Sequence, residues 1–424
     1  MKYVVISFLF IYMNSPVFSQ NISGEWKGSI DVNGNQLPII FYFKKDDSGK
    51  IDGKWDSPKQ NAIGLPFSDI ELKEDSIHLG IKMIAGSYSG AFANADSITG
   101  IWEQGGNKIP LNVSRQSENS HAKKAVFVYP GEKEISIISA AGSKLYGTLL
   151  SKNNQQKIAI IVAGSGPTDR DGNSTMAPPT NEYKMLAHSL DSQNIATFRY
   201  DKRGVSKSAS PDFKEKDIVF DDYVKDAEKI FDYLHDTLGF KDIYFIGHSE
   251  GSLIAMLASQ KKKVKGYISI AGAGRPIDII LEEQMQHQPL PDSVKQQIPG
   301  IFNQLKLGNE VDNIPDVLAP LFRKSVQPYM ISWLKYSPQK EIEKLKCPIL
   351  ILQGGCDIQV KTEDAENLHK ANKKSTLDMI TFMSHTLKNA GKDCVDEQIT
   401  YTDEDMPLDN ILVEDIVKFI EKGK

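Results

Sequence analysis

Residues 243–251 read IYFIGHSEG, and this stretch decides the fold. Its first four residues form an apolar run that is typical of a buried strand, and a helical pattern begins at Ser252. Between them stands a turn of the form Gly-x-Ser-x-Gly, which places a serine at a sharp bend from strand to helix. This order of strand, turn and helix predicts that the hydroxyl of Ser249 is exposed where a substrate can reach it.

Gly247 and Gly251 flank the serine of this turn. Larger residues at these two positions would collide, so glycine is what so tight a turn requires. A serine hydroxyl is a poor nucleophile at neutral pH and needs a base, which an acid in turn orients. In this architecture the chain order is serine, acid, histidine, so both partners are expected after Ser249.

A candidate acid and a candidate base follow in that order. Asp357 comes soon after the apolar run 348–353, and His385 comes soon after the strand-like run 377–382. The carboxyl ends of parallel strands meet at one rim of a sheet, so both side chains are expected beside Ser249. The other histidines fall in helical, β, linker or inserted segments, or at the variable position of the turn. The predicted catalytic triad is Ser249, Asp357 and His385.

The same chemistry needs two hydrogen-bond donors for the developing oxyanion. One is the backbone N–H of the residue after the nucleophile, which is Glu250. The other comes from the loop after an earlier strand, where residues 163–167 read AGSGP. The backbone N–H of Ser165 is the predicted second donor.

Strand-like and helical patterns alternate over much of residues 125–424. Strands are predicted at 134–139, 144–150, 157–163, 196–200, 243–246, 266–270, 348–353 and 377–382. Helices are predicted at 182–190, 223–238, 252–260, 363–371 and 408–420. This alternation implies a mainly parallel sheet with helices on both faces and a ligand site at the carboxyl ends of the strands.

An insertion at about 274–346 separates the strands 266–270 and 348–353, and it carries prolines, methionines and helical stretches. Its position predicts a helical cap over the rim. Tyr329 and Trp333 belong to a set of apolar residues that would form the underside of the cap and suit acyl chains or hydrophobic side chains. The alternative is a helical pair that only buries its own core.

Residues 20–114 follow a different pattern, of short alternating segments separated by turn residues. The triplet Gly-x-Trp recurs at 24–26, 53–55 and 100–102, each time at or beside a predicted strand. This pattern predicts an all-β domain, a barrel or a sandwich, and it resembles a small lipocalin-like antiparallel barrel. Residues 115–124 turn polar and are predicted to be the linker to the rest of the chain.

Residues 1–19 have the pattern of a secretory signal peptide. Lys2 stands near the start, an apolar run follows at 3–13, and the small Ser19 precedes a predicted cleavage site ahead of Gln20. The apolar run is too short to span a bilayer, and no cysteine follows directly that would carry a lipid anchor. The mature protein is therefore expected to be secreted or periplasmic, without a membrane anchor.

The composition is that of an ordinary globular protein. The chain has 424 residues, of which 40% are hydrophobic and 25% charged, which predicts two or three folded domains. The net charge of -5 argues against a nucleic-acid partner, because such partners bind basic surfaces. Three cysteines are too few for a disulfide-dense scaffold or a four-thiolate zinc site. We find no phosphate-binding or dinucleotide motif and no metal-ligand spacing, so no cofactor or metal is expected.

Two of the three cysteines, Cys356 and Cys394, fall on loops of the predicted rim. Cys347 begins the strand that Cys356 ends, so these two lie about 30 Å apart and cannot form a disulfide. In an oxidising compartment the bridge that remains is Cys356–Cys394. Free buried thiols are the alternative.

Residues 125–424 resemble an α/β-hydrolase of the secreted bacterial esterase or serine-aminopeptidase-like kind. The matching pieces are GSGP at 164–167, YDKRGVS at 200–206, the turn at 247–251, GGCD at 354–357, and His385.

The resemblance implies a role for each member of the triad. It makes Ser249 the nucleophile, His385 the general base and then acid, and Asp357 the group that orients and stabilises the imidazolium. Many relatives have His-Gly at the strand that carries the oxyanion donor, where this chain has Ala163 and Gly164. Side-chain support for the oxyanion hole is therefore not expected from Ala163.

Together these features predict a secreted serine hydrolase, a carboxylesterase that cleaves small or medium acyl esters. The candidate substrate-binding residues are Asp201, Arg203, Tyr329 and Trp333. One alternative is a serine aminopeptidase or proline-type peptidase acting on a short peptide, in which Glu250 or Asp201 would hold the amino terminus of the substrate. The other is a binding or adhesion protein whose hydrolase core is vestigial.

Overall fold

The computed structural model describes residues 21–32, 35–46, 49–57, 62–73, 75–84, 86–115, 129–152, 155–174 and 177–422. The chain divides into two compact units, Met1–Val126 and Phe127–Lys424. The predicted signal peptide 1–19 lies outside the described residues. The predicted linker 115–124 does too, apart from Arg115.

The first unit is a single antiparallel sheet of nine strands. In chain order they are β1 Gly24–Val32, β2 Asn35–Lys45, β3 Ile51–Ser57, β4 Ala62–Pro66, β5 Asp69–Leu72, β6 Ser76–Ile81, β7 Gly86–Asn94, β8 Ser97–Gln104 and β9 Asn107–Arg115. Their order across the sheet is β4-β3-β2-β1-β9-β8-β7-β6-β5. Strands that are consecutive in sequence pair as antiparallel neighbours, except β4 and β5, which lie at opposite edges of the sheet. The pairing of β1 with β9 joins the two halves.

This sheet curls so that one face encloses a core. Phe41 of β2 and Tyr88 of β7 are not on neighbouring strands, yet their ring centroids lie 5.0 Å apart. Trp55 and Trp102 meet in the same way at 5.4 Å. Trp26, Trp55 and Trp102 of the repeated triplets are all buried. The first unit is therefore all-β, as its alternating pattern predicts, while its likeness to a lipocalin stays a prediction.

The second unit has a sheet of eight strands. They are β10 Glu132–Ile138, β11 Lys144–Leu150, β12 Lys157–Val162, β13 Ala196–Tyr200, β14 Asp242–His248, β15 Gly266–Ile270, β16 Ile349–Gly354 and β17 Thr376–Ile380. Their order is β10-β11-β13-β12-β14-β15-β16-β17. The pairings β10–β11 and β11–β13 are antiparallel and the others are parallel. The sheet is antiparallel at one edge and parallel over the rest.

Eleven α-helices are described in the second unit. They are α1 Glu182–Ser192, α2 Phe220–Asp232, α3 Glu250–Lys261, α4 Ile277–Gln286, α5 Asp292–Lys295, α6 Ile298–Lys306, α7 Ala319–Phe322, α8 Gln327–Trp333, α9 Pro338–Ile342, α10 Thr362–Ala371 and α11 Asn410–Lys422. None of the described helices is both long and apolar enough to cross a membrane.

The strands of this sheet bury both faces, so helices cover it on two sides. In β12, Ile158 and Ile160 belong to a core shared with α2, α3 and the inserted helices. Ala159 and Ile161 point to the other face and belong to a core shared with α1 and α11. This alternation is the period of two that a strand imposes on its side chains.

One helix differs from its predicted extent by more than two residues at an end. The pattern predicts a helix at 223–238, whereas α2 runs over Phe220–Asp232 and a π-helical turn follows at Tyr233–Thr237. The start is earlier because the Asp222 carboxylate accepts a hydrogen bond from the Val219 N–H at 3.1 Å and caps the helix.

The insertion contributes α4 to α9, between β15 and β16. Its buried side chains Phe302, Phe322 and Trp333 belong to the same core as one face of the sheet. Trp333 stacks on Phe220 of α2 with ring centroids 5.4 Å apart. The inserted helices therefore share the core of the sheet rather than forming a separate one.

Candidate active site

The nucleophile elbow (residues 247–251) has the strained geometry that its sequence predicts. Ser249 has φ 53° and ψ −122°, in a region that residues other than glycine rarely adopt. A Cβ at Gly247 would collide with the carbonyl oxygen of Gly251, and one at Gly251 would collide with the carbonyl oxygen of Val162. Both glycines are therefore required for the turn, and α3 begins directly at Glu250.

Asp357 and His385 form a buried, hydrogen-bonded pair. His385 Nδ1 lies 2.8 Å from Asp357 Oδ2, and the two side chains are 8% and 0% exposed. The backbone N–H groups of Gln359 and Val360 donate to Asp357 Oδ1 at 2.8 and 2.9 Å. These bonds fix the carboxylate from one side, while its other oxygen faces the imidazole and also accepts a hydrogen bond from Gln353 Nε2 at 3.2 Å.

The electrostatics of this pair suit a carboxylate that supports a protonated imidazole. Burial alone favours the uncharged form of each group. Their mutual attraction outweighs burial, so the pKa of Asp357 is held below its ordinary value and the pKa of His385 above its own. With Nδ1 donating to the carboxylate, Nε2 of His385 is the nitrogen left to accept a proton.

A second histidine, His248, connects the elbow to His385. Its Nε2 lies 2.9 Å from the carbonyl oxygen of His385, and its Nδ1 lies 2.7 Å from the Tyr183 hydroxyl. Burial, together with the nearby His385, lowers the pKa of His248 to about 3, so the ring is neutral. A carbonyl accepts only, so Nε2 carries the proton and the Tyr183 hydroxyl donates to Nδ1.

Ser249 opens into a pocket of about 100 Å³. The predicted oxyanion residues Ser165 and Glu250 line it beside the serine. Most of the remaining lining is apolar and includes Leu253, Ala273, Ile277, Ile280, Leu281, Leu321, Trp333, Pro338 and Val360. The insertion supplies many of these side chains and so forms part of the pocket wall.

Of the two aromatic residues predicted to bind substrate, one lines the pocket and the other does not. Trp333 lines the pocket. Tyr329 does not, and it packs behind Trp333 with ring centroids 5.8 Å apart and against Tyr223 at 5.7 Å. Both residues lie on one face of α8, four positions apart, and Trp333, one turn further along the helix, is the one that reaches the pocket.

Asp201 and Arg203 are not where the substrate-binding prediction places them, since neither lines the pocket. Asp201 is buried and accepts hydrogen bonds from the Arg170 backbone at 2.9 Å and guanidinium at 2.7 Å. Arg203 donates two bonds to Asp226, at 2.9 and 2.6 Å. A buried charge needs a partner of opposite charge, and Asp201 and Arg203 each have one. Both residues therefore stabilise the loop after β13.

The sequence does not predict a role for three residues around the site, of which Tyr183 and Lys202 are buried and Arg275 is half-buried. Tyr183 occupies a position on the apolar face of α1, where a core residue is expected. Lys202 lies within residues 200–206, where no sequence feature assigns it a role. Arg275 lines the pocket and pairs with Asp364 and Glu283, at 2.8 Å in each case. One cue was present for Lys202, since a lysine at the end of an apolar strand has to find a partner if it is buried.

A disulfide joins Cys356 to Cys394, with Cα atoms 5.4 Å apart, and Cys347 is the free thiol. The bridge ties the residue before Asp357 to the segment that carries Tyr401. In that segment the Tyr401 hydroxyl lies 3.2 Å from Gln359 Nε2. The loop that carries Asp357 is therefore held by a covalent bond and by a hydrogen bond.

Replacing both Cys356 and Cys394 by serine should lower the free energy of unfolding by about 2–4 kcal/mol, because the bridge closes a long loop in the unfolded chain. The two cysteines are 38 residues apart in sequence. Urea unfolding under non-reducing conditions measures the change. Cys347→Ser is the matched control, since it removes a thiol and leaves the bridge. Equal stability of the wild type and the double variant would contradict the bridge.

Within the described part of the chain, no group of three or more His, Cys, Asp and Glu side chains is arranged to hold a metal ion.

The model of one protein family, described as serine aminopeptidase, S33, matches residues 176–315. This range contains the elbow and the first part of the insertion. The sheet order of Phe127–Lys424 and the strained backbone of Ser249 agree with the α/β-hydrolase fold that the sequence predicts.

One curated relative is the esterase EstD of Thermotoga maritima, which is 26% identical over 219 residues. The match covers 49% of this chain and 48% of the relative. The chain thus spans about half the length of that esterase.

Solved structures give more distant likenesses. Est1E from Butyrivibrio proteoclasticus is 22% identical with a TM-score of 0.45, covering 68% of this chain and 98% of that one. The α/β hydrolase GrgF from Penicillium sp. sh18 is 16% identical with a TM-score of 0.47, covering 69% and 98%. Such likenesses are too distant to carry an argument, and the fold assignment rests on the sheet and the elbow.

Proposed function

We propose that this chain is a secreted serine hydrolase that cleaves carboxylic esters with small or medium acyl groups. The observation that carries the proposal is a serine on a strained elbow, in an apolar pocket, with a buried Asp357–His385 pair at the same rim. The family match and the esterase relative support hydrolase chemistry.

In the proposed reaction His385 Nε2 takes the proton of the Ser249 hydroxyl as its oxygen attacks the acyl carbon. The backbone N–H groups of Ser165 and Glu250 stabilise the negative charge that develops on the carbonyl oxygen. His385 then gives its proton to the departing alcohol and leaves an acyl group on Ser249. Water, activated by the same imidazole, releases the acid and restores the serine.

The charges of the site favour an ester over a peptide with a free amino terminus. Among the described residues that line the pocket, Glu250 carries the one carboxylate. Its Oε1 lies 3.0 Å from Lys202 Nζ, so a cation already neutralises it. Asp201, the other acid considered for an aminopeptidase, is paired with Arg170. Neither carboxylate is free to hold a substrate ammonium group.

The size of the pocket favours a short acyl chain. Its volume of about 100 Å³ is well below the roughly 300–1,000 Å³ of pockets that hold drug-sized ligands. The apolar lining offers no hydrogen-bond partner to most of an acyl group, so burial of methylene groups supplies the binding free energy.

The proposed location is outside the cytoplasm. The predicted signal peptide supports it, and the Cys356–Cys394 bridge supports it independently, because disulfides persist in oxidising compartments. Fractionation of the expressing cells, with amino-terminal sequencing of the product, tests this and the predicted cleavage ahead of Gln20.

Turnover of p-nitrophenyl acetate, butyrate and octanoate, measured beside a set of amino-acid p-nitroanilides, tests the reaction. We expect kcat/KM to be highest for acetate or butyrate, to fall by about tenfold or more for octanoate because the chain outgrows the pocket, and to be undetectable for the anilides. Efficient cleavage of the anilides would instead favour the peptidase. A folded protein that turns over none of these substrates would contradict the esterase proposal and favour a binding role.

A further inference from the structure

Lys202 is a buried cation close to the nucleophile. It follows β13, and its side chain is 2% exposed. Burying an ammonium group costs several kcal/mol unless partners replace its water. Its partners are the carbonyl oxygen of Gly164 and Oε1 of Glu250, and its Nζ lies 5.2 Å from the centre of the Tyr223 ring. Two of these partners adjoin or form the predicted oxyanion hole.

The bond to Gly164 sets the direction of one oxyanion donor. The carbonyl of Gly164 and the N–H of Ser165 belong to the same peptide group, and no described peptide bond is cis. In a planar trans peptide the C=O and N–H bonds point in opposite directions. Holding the carbonyl at the ammonium therefore turns the Ser165 N–H away from Lys202. A cation at the carbonyl oxygen also polarises the peptide and strengthens its N–H as a donor.

The second hydrogen bond of Lys202 is to the side chain of Glu250, whose backbone N–H is the other predicted oxyanion donor. Glu250 is the first residue of α3 and follows Ser249 directly. Its carboxylate is 3% exposed and takes a charge-assisted hydrogen bond from Lys202 at 3.0 Å. One ammonium group therefore bonds both the Gly164–Ser165 peptide and the side chain of Glu250, and these carry the two backbone N–H groups that would bind the oxyanion.

Gly164 is also held on its other side. Its N–H donates to the Tyr183 hydroxyl at 2.9 Å. Tyr183 donates in turn to His248, and His248 donates to the carbonyl of His385. A continuous chain of hydrogen bonds thus runs from the backbone of the base, through Gly164 and Lys202, to Glu250. Tyr183 of α1 and Lys202 at the end of β13 thus supply side-chain support that Ala163 cannot give.

We propose that Lys202 is a positioning residue that sets the oxyanion hole by fixing the Gly164–Ser165 peptide relative to Glu250. It does not touch the substrate and acts through the two backbone donors. This rests on the proposed function, since an oxyanion hole has meaning only for acyl transfer at Ser249.

The test compares Lys202→Met, the double variant Lys202→Met with Glu250→Gln, and the wild type on p-nitrophenyl butyrate. Removal of a direct oxyanion donor costs about 10²- to 10³-fold in kcat. Loss of a group that positions the donors should cost about 10- to 100-fold, with KM changed less than about threefold. The Ki of an aliphatic trifluoromethyl ketone, which forms an oxyanion on Ser249, should rise by the same factor as kcat/KM falls.

The double variant separates positioning from the burial of an unpaired charge. Lys202→Met leaves Glu250 charged and without its partner, which can destabilise the fold, whereas the double variant removes both charges. We expect the double variant to fold and to remain slow. Lys262→Met is the matched control, because Lys262 pairs with Asp232 at the far end of α3, at 2.7 Å. It should keep wild-type kcat.

The outcomes distinguish the two proposals. A wild type that turns over no ester contradicts the proposed function, and the role of Lys202 falls with it. An active wild type with an unchanged Lys202→Met variant overturns the role of Lys202 alone. A double variant that recovers wild-type kcat also overturns it, because the defect would then come from the unpaired carboxylate. The role of Lys202 is likewise overturned if the Ki of the trifluoromethyl ketone stays constant while kcat falls.

Discussion

Replacing Ser249 by alanine should lower kcat/KM for p-nitrophenyl butyrate by on the order of 10⁴- to 10⁶-fold. Without the hydroxyl no acyl-enzyme forms, and the turnover that remains comes from the oxyanion donors acting on a bound ester and water. Stopped assays with a high enzyme concentration measure the residual rate. The same change should abolish labelling of the protein by a fluorophosphonate, which mass spectrometry locates at residue 249 in the wild type.

The fold should tolerate this change. Alanine keeps the Cβ of serine, so the strain at φ 53° is the same in both proteins, and thermal unfolding should be unchanged. Ser259→Ala is the matched control. Ser259 is buried in α3, the helix that follows Ser249, and its hydroxyl donates to the carbonyl of Ala255 at 2.7 Å. It should keep full activity. A Ser249→Ala variant with more than about a tenth of wild-type activity would contradict the acyl-enzyme mechanism.

Much of the α/β sheet could be predicted because its strands are short apolar runs bounded by glycine, proline or charged residues. The run 157–163 becomes β12 at Lys157–Val162, and the run 196–200 becomes β13 at Ala196–Tyr200. A buried parallel strand is apolar on both faces, so its sequence differs from that of the amphipathic helices beside it. Helix ends were harder to place, since the Asp222 cap that starts α2 early is a local hydrogen bond that periodicity does not report.

The three residues of the proposed triad could be predicted for a different reason. Each follows a recognisable strand, and parallel strands deliver their carboxyl ends to one rim, so Asp357 and His385 meet although 28 residues separate them. Asp201 and Arg203 also follow a strand, and the same reasoning predicts that they lie at the site and bind substrate. Their partners Arg170 and Asp226 are distant in sequence, and only the folded chain shows that both charges are already paired.

The sequence does not predict which side chains of the insertion line the pocket and which are buried in the core. Tyr329 and Trp333 are four residues apart in α8 and both are apolar enough for a pocket wall or a core. The hydrogen-bonded chain through Tyr183, His248 and Lys202 was also hidden, because it joins α1, β14 and the end of β13. A buried polar network of this kind is a property of the fold, since its members satisfy one another only when the strands are assembled.

Replacing Asp357 by asparagine should lower kcat by on the order of 10³- to 10⁴-fold, although the shape of the side chain is preserved. The carboxylate accepts the Nδ1 proton of His385 at 2.8 Å, which leaves Nε2 free to take the serine proton. An amide at residue 357 donates to Nδ1 instead and favours the tautomer with its proton on Nε2. That tautomer has no lone pair for the proton of Ser249.

The pH dependence of the residual activity gives an independent reading of the same residue. Activity requires unprotonated His385, so kcat/KM falls as the pH falls through its pKa. Burial opposes protonation of His385, but the Asp357 carboxylate outweighs burial and raises the pKa of His385 in the wild type. Asparagine removes that charge, so the pKa should drop and the acid limb of the profile should move to lower pH.

Glu397→Gln is the control for this shift. Glu397 also raises the pKa of His385 through its charge, but more weakly than Asp357 does. Its loss should move the acid limb slightly in the same direction and lower kcat less than tenfold or so, because the tautomer of His385 is unaffected. Equal losses in the two variants would mean that Asp357 acts only as a nearby negative charge. An acid limb that moves to higher pH in Asp357→Asn would contradict the pairing itself, since only the removal of a stabilising carboxylate makes His385 harder to protonate.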